Sequence, residues 1–291
     1  MSLRIAVTAD LHWGHRTGAG AVARLADFLH AEPPDVLVLA GDLGVGKLFD
    51  DCLALFDDLP GRKAVTPGNH DLWVPEGAEH DSLRRYESDL PRSCARLGFH
   101  YLDAGPLLLP DEGLALVGSI NWYDYSWSLD ELRRRFPGEE HRLQNKRFTR
   151  GRHNDANFVR WPLDDVRFTA RVVAKLEQDL QAGLAVAAKA IVITHHPPFH
   201  DLSFPAPTGP LPLDGLLWEA FCGNRAMEDV LARHAERIPF AFCGHTHQAR
   251  EGRLGPIHGY NVGGDYSTKR LLMLDWPAGT VTAHEFADVA A

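Results

Sequence analysis

The sequence predicts an α/β (α+β) fold, with strands and helices alternating early in the chain and antiparallel strands closing a second sheet near its end. The first observation behind this prediction is a repeated change from short apolar runs to helical patterns in the first third. The second is the return of apolar runs in the last third. Since α/β domains often exceed about 200 residues, we expect a single domain over residues 1–291.

The first half follows a βαβ order, which predicts parallel strands. In chain order we predict a strand at residues 3–9, a helix at 20–30, a strand at 36–40, a helix at 47–58, a strand at 62–65, a helix at 81–97 and short strands at 107–109 and 114–119. Aromatic residues, arginines and glycines then mix without a clear period over residues 121–162. We expect an insertion there that forms a lid over the site.

The second half begins with a predicted helix and ends with predicted strands. In chain order these are a helix at 164–182, a strand at 190–193, a proline-rich loop at 197–212, a helix at 217–235, a strand at 240–243 and strands at 257–262, 270–274 and 280–285. We expect the last three strands to be antiparallel and to close the second sheet.

The formal net charge of −9 argues against a surface that binds nucleic acid throughout, because such binding draws on clustered lysines and arginines. A local basic patch stays open, since the insertion is rich in basic residues: Arg133, Arg134, Arg135, Arg142, Lys146, Arg147, Arg150 and Arg152. Nucleic acid is therefore a possible partner, but not the favoured one.

Neither a membrane span nor a secretion signal is indicated by the sequence. No apolar stretch of about 18 residues is present, and the N-terminus runs directly into the first predicted strand. The four cysteines lack the Cys-x-x-Cys spacing of zinc sites, so we expect reduced, packed thiols. We expect a cytoplasmic protein that does not bind membranes.

Short polar clusters follow the predicted strands. They are Asp10-Leu11-His12, Gly41-Asp42, Gly68-Asn69-His70-Asp71, Thr194-His195-His196-Pro197 and Gly244-His245-Thr246-His247. Each cluster alone has an ordinary explanation, such as a polar turn, a helix N-cap or a packed histidine. Together they bring oxygen and imidazole donors from separate strand ends, which is what a metal site requires. In this order they predict a two-metal phosphoesterase site.

With these clusters, the chain resembles the calcineurin-like metallophosphoesterase superfamily, whose pattern is Asp-x-His, Gly-Asp, Gly-Asn-His-Asp/Glu, His and Gly-His-x-His. The resemblance extends from residue 3 to about residue 265. It implies a four-layer αββα sandwich of two mixed β-sheets flanked by helices, with a dinuclear metal site on loops at one end of the sheets.

The same resemblance implies how the metal ligands divide. One ion would be held by Asp10, His12, Asp42 and His247. The other would be held by Asp42, Asn69, His195 and His245, so that Asp42 bridges the two ions. Because the set combines imidazole and oxygen without thiolate, the two divalent ions are expected to be manganese, iron or zinc.

The resemblance also implies catalytic roles for two residues beside the ligands. His70 would face the phosphoryl oxygen or the leaving group, and Asp71 would orient the loop or the imidazole. Hydroxide bridging the two ions would attack phosphorus, which makes the protein a phosphodiesterase or phosphatase for a small molecule or nucleotide. His196 falls outside the ligand set, where it could contact substrate or pack.

Departures from the pattern exclude two branches of the superfamily. Protein Ser/Thr phosphatases carry Gly-Asp-x-x-Asp-Arg-Gly, whereas Val45 and Gly46 stand here at the Asp and Arg positions. Purple acid phosphatases carry a tyrosine where this chain has Val45. The opening at residues 9–14 resembles the SbcD-like nucleases, so a nuclease stays the alternative. A non-catalytic protein-binding scaffold is less favoured, because every ligand position is filled.

The insertion could also supply substrate contacts. Trp122, Tyr123, Tyr125 and Trp127 could stack on a nucleobase, and Trp122 and Tyr123 are the candidate substrate residues among them. The favoured interpretation is that these aromatic side chains pack the insertion onto the rest of the domain.

Overall fold

A computed structural model describes residues 2–204 and 212–288. The strands are β1 (Leu3–Thr8), β2 (Val36–Ala40), β3 (Arg62–Thr66), β4 (His100–Tyr101), β5 (Leu107–Leu109), β6 (Leu114–Ser119), β7 (Lys189–Thr194), β8 (Phe240–Cys243), β9 (Arg250–Leu254), β10 (Ile257–Asn261), β11 (Thr268–Trp276) and β12 (Thr280–Ala287). The helices are α1 (Ala19–Ala31), α2 (Leu48–Leu53), α3 (Ser82–Arg84), α4 (Leu90–Arg96), α5 (Leu129–Arg135), α6 (His141–Asn145), α7 (Asp155–Phe158), α8 (Asp165–Val186), α9 (Pro212–Ala220) and α10 (Arg225–Arg233).

The strands form two six-stranded mixed sheets. The first has the order β12-β11-β1-β2-β3-β4, in which β1 to β4 are parallel and β11 and β12 are antiparallel additions. The second has the order β5-β6-β7-β8-β10-β9, with a parallel centre and antiparallel edges. The parallel strands place several carboxyl ends at the same edge of the fold, which is where α/β proteins bind their ligands.

Three apolar layers hold the sheets and helices together, which confirms the four-layer αββα sandwich. Side chains such as Val7 and Val38 point between the two sheets. Their neighbours in sequence, such as Leu37, point to the helices on the first sheet, and Val192 packs against the helices on the second. This alternation explains why the central strands are apolar on both faces.

One prediction about the sheets is wrong. The strands predicted at 270–274 and 280–285 belong to the first sheet, where β11 pairs with β1 and β12 pairs with β11. Only the strand predicted at 257–262 lies in the second sheet, and it runs parallel to β8. Strand β11 buries Leu271 and Leu274 on its opposite faces, so it suits a position inside a sheet covered on both sides.

The helix predicted at 217–235 is two helices. The second helix, α10, begins after Asn224. The Asn224 side chain caps it by accepting a hydrogen bond from the Met227 amide at 2.7 Å. The other helix predictions are correct in place, although α2 is shorter than predicted and a π-turn at Arg85–Asp89 joins α3 to α4. Part of the predicted proline-rich loop, residues 205–211, lies outside the described residues.

The segment predicted as an insertion, residues 121–162, contains α5, α6 and α7 and packs into the core of the first sheet, and its role as a lid stays a prediction. Five of the eight basic residues named above pair with nearby carboxylates: the pairs are Arg133–Glu140, Arg134–Glu131, Arg135–Glu131, Arg142–Glu139 and Lys146–Asp165. All four cysteines are free and buried, as expected. Among the residues described, no helix is long and apolar enough to cross a bilayer.

A buried carboxylate connects the two sheets. Asp103 accepts hydrogen bonds from the Ile120 amide and the Tyr86 hydroxyl, both at 2.8 Å, and lies 3.4 Å from the hydroxyl of Thr66 on β3. Burial raises the pKa of Asp103 from 3.8 to about 6, against the opposing effect of these hydrogen bonds.

We predict that Asp103 makes the protein less stable as the pH rises. Because its folded pKa lies above the unfolded value, the folded state binds the proton more tightly, and that stabilisation is lost between about pH 4 and pH 7. The loss is about 3 kcal/mol. D103N should remove this part of the pH dependence of the free energy of unfolding, measured by urea titration at several pH values. The exposed-site variant D111N is the control, and a D103N curve parallel to wild type would refute the assignment.

Candidate metal centre

The predicted polar clusters meet at the end of the sandwich where the parallel strands of both sheets have their carboxyl ends. Asp10, Asp42 and Asn69 follow β1, β2 and β3 of the first sheet. His195 and His245 follow β7 and β8 of the second sheet. All of these strands are parallel to a neighbour within their sheet, so their carboxyl ends converge. The structure thus brings together all seven residues predicted as metal ligands, including His12 and His247 (below).

The first donor group consists of Asp10, His12, Asp42 and His247, whose ligand atoms all lie within 4.8 Å of one another. The Nε2 atoms of His12 and His247 are 3.0 Å apart. His247 Nε2 lies 3.5 Å from an Asp10 carboxylate oxygen, and His12 Nε2 lies 3.7 Å from Asp42 Oδ2. Such a cluster of buried nitrogen and oxygen atoms has the size of a single cation site.

The second donor group consists of Asp42, Asn69, His195 and His245. His195 Nε2 lies 3.2 Å from Asn69 Oδ1 and 3.3 Å from Asp42 Oδ1. The ring centroids of His195 and His245 are 5.3 Å apart. Asp42 therefore turns Oδ1 to the second group and Oδ2 to the first, which is the orientation that a bridging carboxylate needs.

The tautomer of His195 tests whether a cation fits this site. Its Nδ1 atom lies 3.0 Å from the carbonyl oxygen of Ala40, which can only accept, so Nδ1 carries a proton. The Nε2 atom then faces the oxygens of Asn69 at 3.2 Å and Asp42 at 3.3 Å, an arrangement that suits a positive charge at this point, either a second ring proton or a bound cation. A divalent ion with imidazole and oxygen ligands fits this arrangement.

The charges of the cluster agree with that fit. Burial lowers the pKa of His12 and of His245 well below the ordinary value, which leaves both rings neutral and able to coordinate. Burial alone would raise the pKa of Asp42, but His195 and His70 hold it well below its usual range. Burial would lower the pKa of His195, yet the neighbouring Asp42 raises it to about 9. Asp42 is thus an anion that needs a cationic partner.

Backbone strain is concentrated at the predicted ligands. Positive φ angles occur at Asp10 (56°), His12 (45°), Asp42 (55°), His245 (74°) and His247 (58°). Each such residue costs about 1–3 kcal/mol and persists only where its surroundings hold it in place. Strained backbone at so many donors supports a functional role for the cluster.

Two glycines allow the loops to approach this closely. A Cβ atom on Gly68 would lie 2.1 Å from Asp42 Oδ1, and one on Gly41 would lie 2.4 Å from the Nδ1 atom of His195. Gly41 also has φ of +90°, which other residues rarely adopt. The glycines of the Gly-Asp and Gly-Asn clusters are therefore required by the packing of the site.

His70 lies at the mouth of the cluster. Its side chain is 18% exposed, its Nε2 atom is 3.7 Å from Asp42 Oδ2, and its backbone amide donates to Asp42 Oδ1 at 2.9 Å. The ring stacks on Trp73, with 3.5 Å between centroids. Burial lowers the pKa of His70, so the ring is neutral near pH 7 and keeps an N–H to donate.

Asp71 acts on the loops and not on the imidazole. Its carboxylate accepts hydrogen bonds from the amides of Leu43, Gly44 and Gly68 at 2.8–3.0 Å. These contacts join the loop after Asp42 to the loop that carries Asn69. Asp71 is therefore a positioning residue.

The expectation that Trp122 and Tyr123 stack on substrate is not supported, because both side chains are 0% exposed. The Trp122 indole donates to Asp165 at 2.9 Å, and the two rings stack on each other. His196 is also fully buried, 4.0 Å from the ring of His245, and its Nε2 atom has no hydrogen-bond partner within the described ranges. These three residues pack behind the donors.

Asp155 is a residue that the sequence patterns did not reveal. Its buried carboxylate accepts hydrogen bonds from the side chains of Asn69 (2.9 Å), Trp73 (2.8 Å) and Tyr123 (2.8 Å). Because Asp155 accepts from the Asn69 amide nitrogen, the Asn69 amide oxygen is turned toward His195. Asp155 lies in the aperiodic insertion, where no local pattern distinguishes it from a surface acid.

Lys269 was also missed. The side chain is buried, and its Nζ atom donates to the carbonyl oxygens of Asp10 at 2.8 Å and Asp265 at 2.6 Å. It holds the strained backbone of Asp10 from the side of β11. A lysine within a strand gives no sign in the sequence that it reaches a ligand loop.

The αββα sandwich and its two converging groups of oxygen and imidazole donors are typical of α/β proteins that bind metal ions at the ends of their strands. The model of the calcineurin-like phosphoesterase family matches residues 3–249. The chain belongs to this family.

The solved structures that share this fold have low sequence identity to this chain. A phosphopantetheinyl hydrolase from Mycobacterium tuberculosis is 20% identical, with a TM-score of 0.71, over 90% of this chain and 89% of that chain. A dimetal phosphatase from Danio rerio is 14% identical, with a TM-score of 0.58, over 98% of each chain. These similarities show the fold. The comparison with curated proteins gave no match.

We predict that D155N weakens the binding of one divalent ion. The variant keeps the size of the side chain but loses its charge and an acceptor, so the Asn69 amide is no longer held in one orientation. Comparable changes behind metal ligands reduce affinity about 10–100-fold. Titration calorimetry with Mn²⁺ would measure this effect.

D165N is the matched control, because Asp165 is a second buried carboxylate that binds Trp122 and Lys146 but none of the donors. Equal Mn²⁺ affinity in D155N and wild type would rule out the proposed role.

Proposed function

We propose that this protein is a metal-dependent phosphoester hydrolase that acts on a small molecule or nucleotide, as a phosphatase or phosphodiesterase. The observation that carries the proposal is the position of Asp42 between two donor groups, with one carboxylate oxygen facing each. Membership of the calcineurin-like phosphoesterase family supports the reaction class.

Two divalent ions held by these groups would supply an activated water and neutralise the charge on the phosphoryl oxygens. The residues of the chain hold and orient the reactants. Asp42 keeps its carboxylate ionised and shared between the groups, and Asp71 fixes the loop on which it lies. His70, 18% exposed at the mouth of the cluster, would lie beside the leaving oxygen, where the N–H of its neutral ring donates a hydrogen bond to the developing negative charge.

Charge and contacts favour a small substrate over nucleic acid. The formal charge is −9, and several basic residues of the insertion bind carboxylates close to them in sequence. A nuclease needs a continuous basic surface for the phosphate backbone. Assays should therefore start with phosphomonoesters, phosphodiesters and nucleotides. A phosphopantetheinyl ester also belongs in this set, in view of the relative named above.

We predict that the protein hydrolyses p-nitrophenyl phosphate or bis-p-nitrophenyl phosphate when Mn²⁺ is supplied, and that D42N reduces the rate to background. Removal of the carboxylate charge deprives both donor groups of their shared anion. D51N, at a surface site of α2, is the control and should keep the wild-type rate. A protein that binds Mn²⁺ but cleaves neither ester, nor any member of the wider substrate set, would instead support a protein-binding scaffold.

We predict a different result for H70N. Because His70 would contact the reacting oxygen and not the ions, the variant should keep the wild-type Mn²⁺ content while kcat falls about 10²–10³-fold. Elemental analysis and steady-state kinetics on the same preparation separate the two effects. H80N, outside the donor groups, should behave as wild type. Loss of Mn²⁺ from H70N would show that His70 is a ligand and contradict its assigned role.

A further inference from the structure

An exposed aromatic side chain borders the mouth of the metal centre on the side of His70. Phe158, the last residue of α7, is 38% exposed and lies 5.0 Å from Trp73 between ring centroids. Trp73 in turn stacks on His70. The three rings therefore form a continuous aromatic wall that begins at the catalytic imidazole and ends at the surface.

The wall is held rigidly. The Trp73 indole donates to the buried carboxylate of Asp155 at 2.8 Å, so its ring plane is fixed from behind. The Val74 amide donates to the carbonyl oxygen of Phe158 at 3.0 Å and joins the end of α7 to the segment that follows His70. The backbone position of Phe158, which leaves its ring exposed, is thus fixed by this hydrogen bond.

A second exposed ring lies on the other side of the donors. Tyr266 is 36% exposed, and its ring centroid lies 4.6 Å from that of His12 and 5.1 Å from that of His247. The two exposed rings provide apolar surface near the polar donors that a bound ligand could contact.

We propose that Trp73 and Phe158 form a subsite for a flat aromatic group carried by the leaving oxygen of the phosphoester. This inference rests on the proposed hydrolase function, because that function places the leaving oxygen beside His70. A group attached to that oxygen extends along the wall, where its ring can stack on Phe158. The shared chemistry is an aromatic ring a few bonds from phosphorus, as in a nucleotide or an arylalkyl phosphate.

The test compares substrates that differ only in the ring. AMP and ribose 5-phosphate share the same reacting atoms, as do benzyl phosphate and butyl phosphate. Wild type should prefer the aromatic member of each pair, and F158A should lower the ratio of kcat/KM within a pair about tenfold, mainly through KM. The AMP pair and the benzyl pair distinguish a nucleoside from a simpler arene.

Two further variants sharpen this comparison. F158L keeps an apolar side chain without a ring, so it should lower the ratio nearly as far as F158A. Val166 on α8 is 51% exposed, and V166A is the control for loss of an exposed apolar side chain elsewhere. An F158L ratio equal to wild type, or an unchanged ratio in F158A, would overturn the subsite.

A binding measurement separates this inference from the proposed function. Saturation-transfer NMR with adenosine and metal-free protein should detect contact with the adenine ring, and F158A should abolish it. If no ester is cleaved but adenosine contact depends on Phe158, the hydrolase function fails and the subsite stands. If esters are cleaved without preference for the ring and adenosine does not bind, the function stands and the subsite fails.

Discussion

The structure depends on one buried carboxylate, that of Asp42. A charge in the interior is unfavourable unless it is paired and hydrogen-bonded, and Asp42 is paired with histidines from both sheets. Its two oxygens face different donor groups, so neither group can be complete without it. The close approach of the loops, the glycines beside them and the left-handed backbone at the donors all follow from bringing imidazoles to this carboxylate.

The arrangement is maintained by residues that never touch the reacting atoms. Asp71 joins the Asp42 and Asn69 loops through three backbone amides. Asp155 reaches Asn69 from the insertion, and Lys269 reaches the backbone of Asp10 from β11. Each of these supports comes from a segment distant in sequence from the ligand it holds. The site is therefore as sensitive to the packing of the insertion and of β11 as to the ligands themselves.

The distinction between local and long-range information explains what the sequence predicted. Parallel strands followed by polar clusters are local patterns, so the amino-acid sequence alone predicts the convergence of Asp10, Asp42 and His195. The position of β11 in the first sheet depends on its pairing with β1, which is distant in sequence. The residues around β11 therefore do not indicate that pairing. Trp122 and Phe158 are both aromatic residues in an aperiodic segment, and only tertiary packing decides that the first is buried and the second exposed. Asp155 was missed for the same reason.

A single short helix of the insertion serves both parts of the candidate site. Asp155 at the start of α7 orients a metal ligand and the Trp73 ring, and Phe158 at its end extends the aromatic wall to the surface. The ligands lie at strand ends, where the two sheets determine their positions. The aromatic surface proposed for the leaving group is instead presented by residues 121–162. Changes at Phe158 can therefore alter which ester is accepted without moving a ligand, whereas changes at Asp155 affect metal binding and substrate contact together.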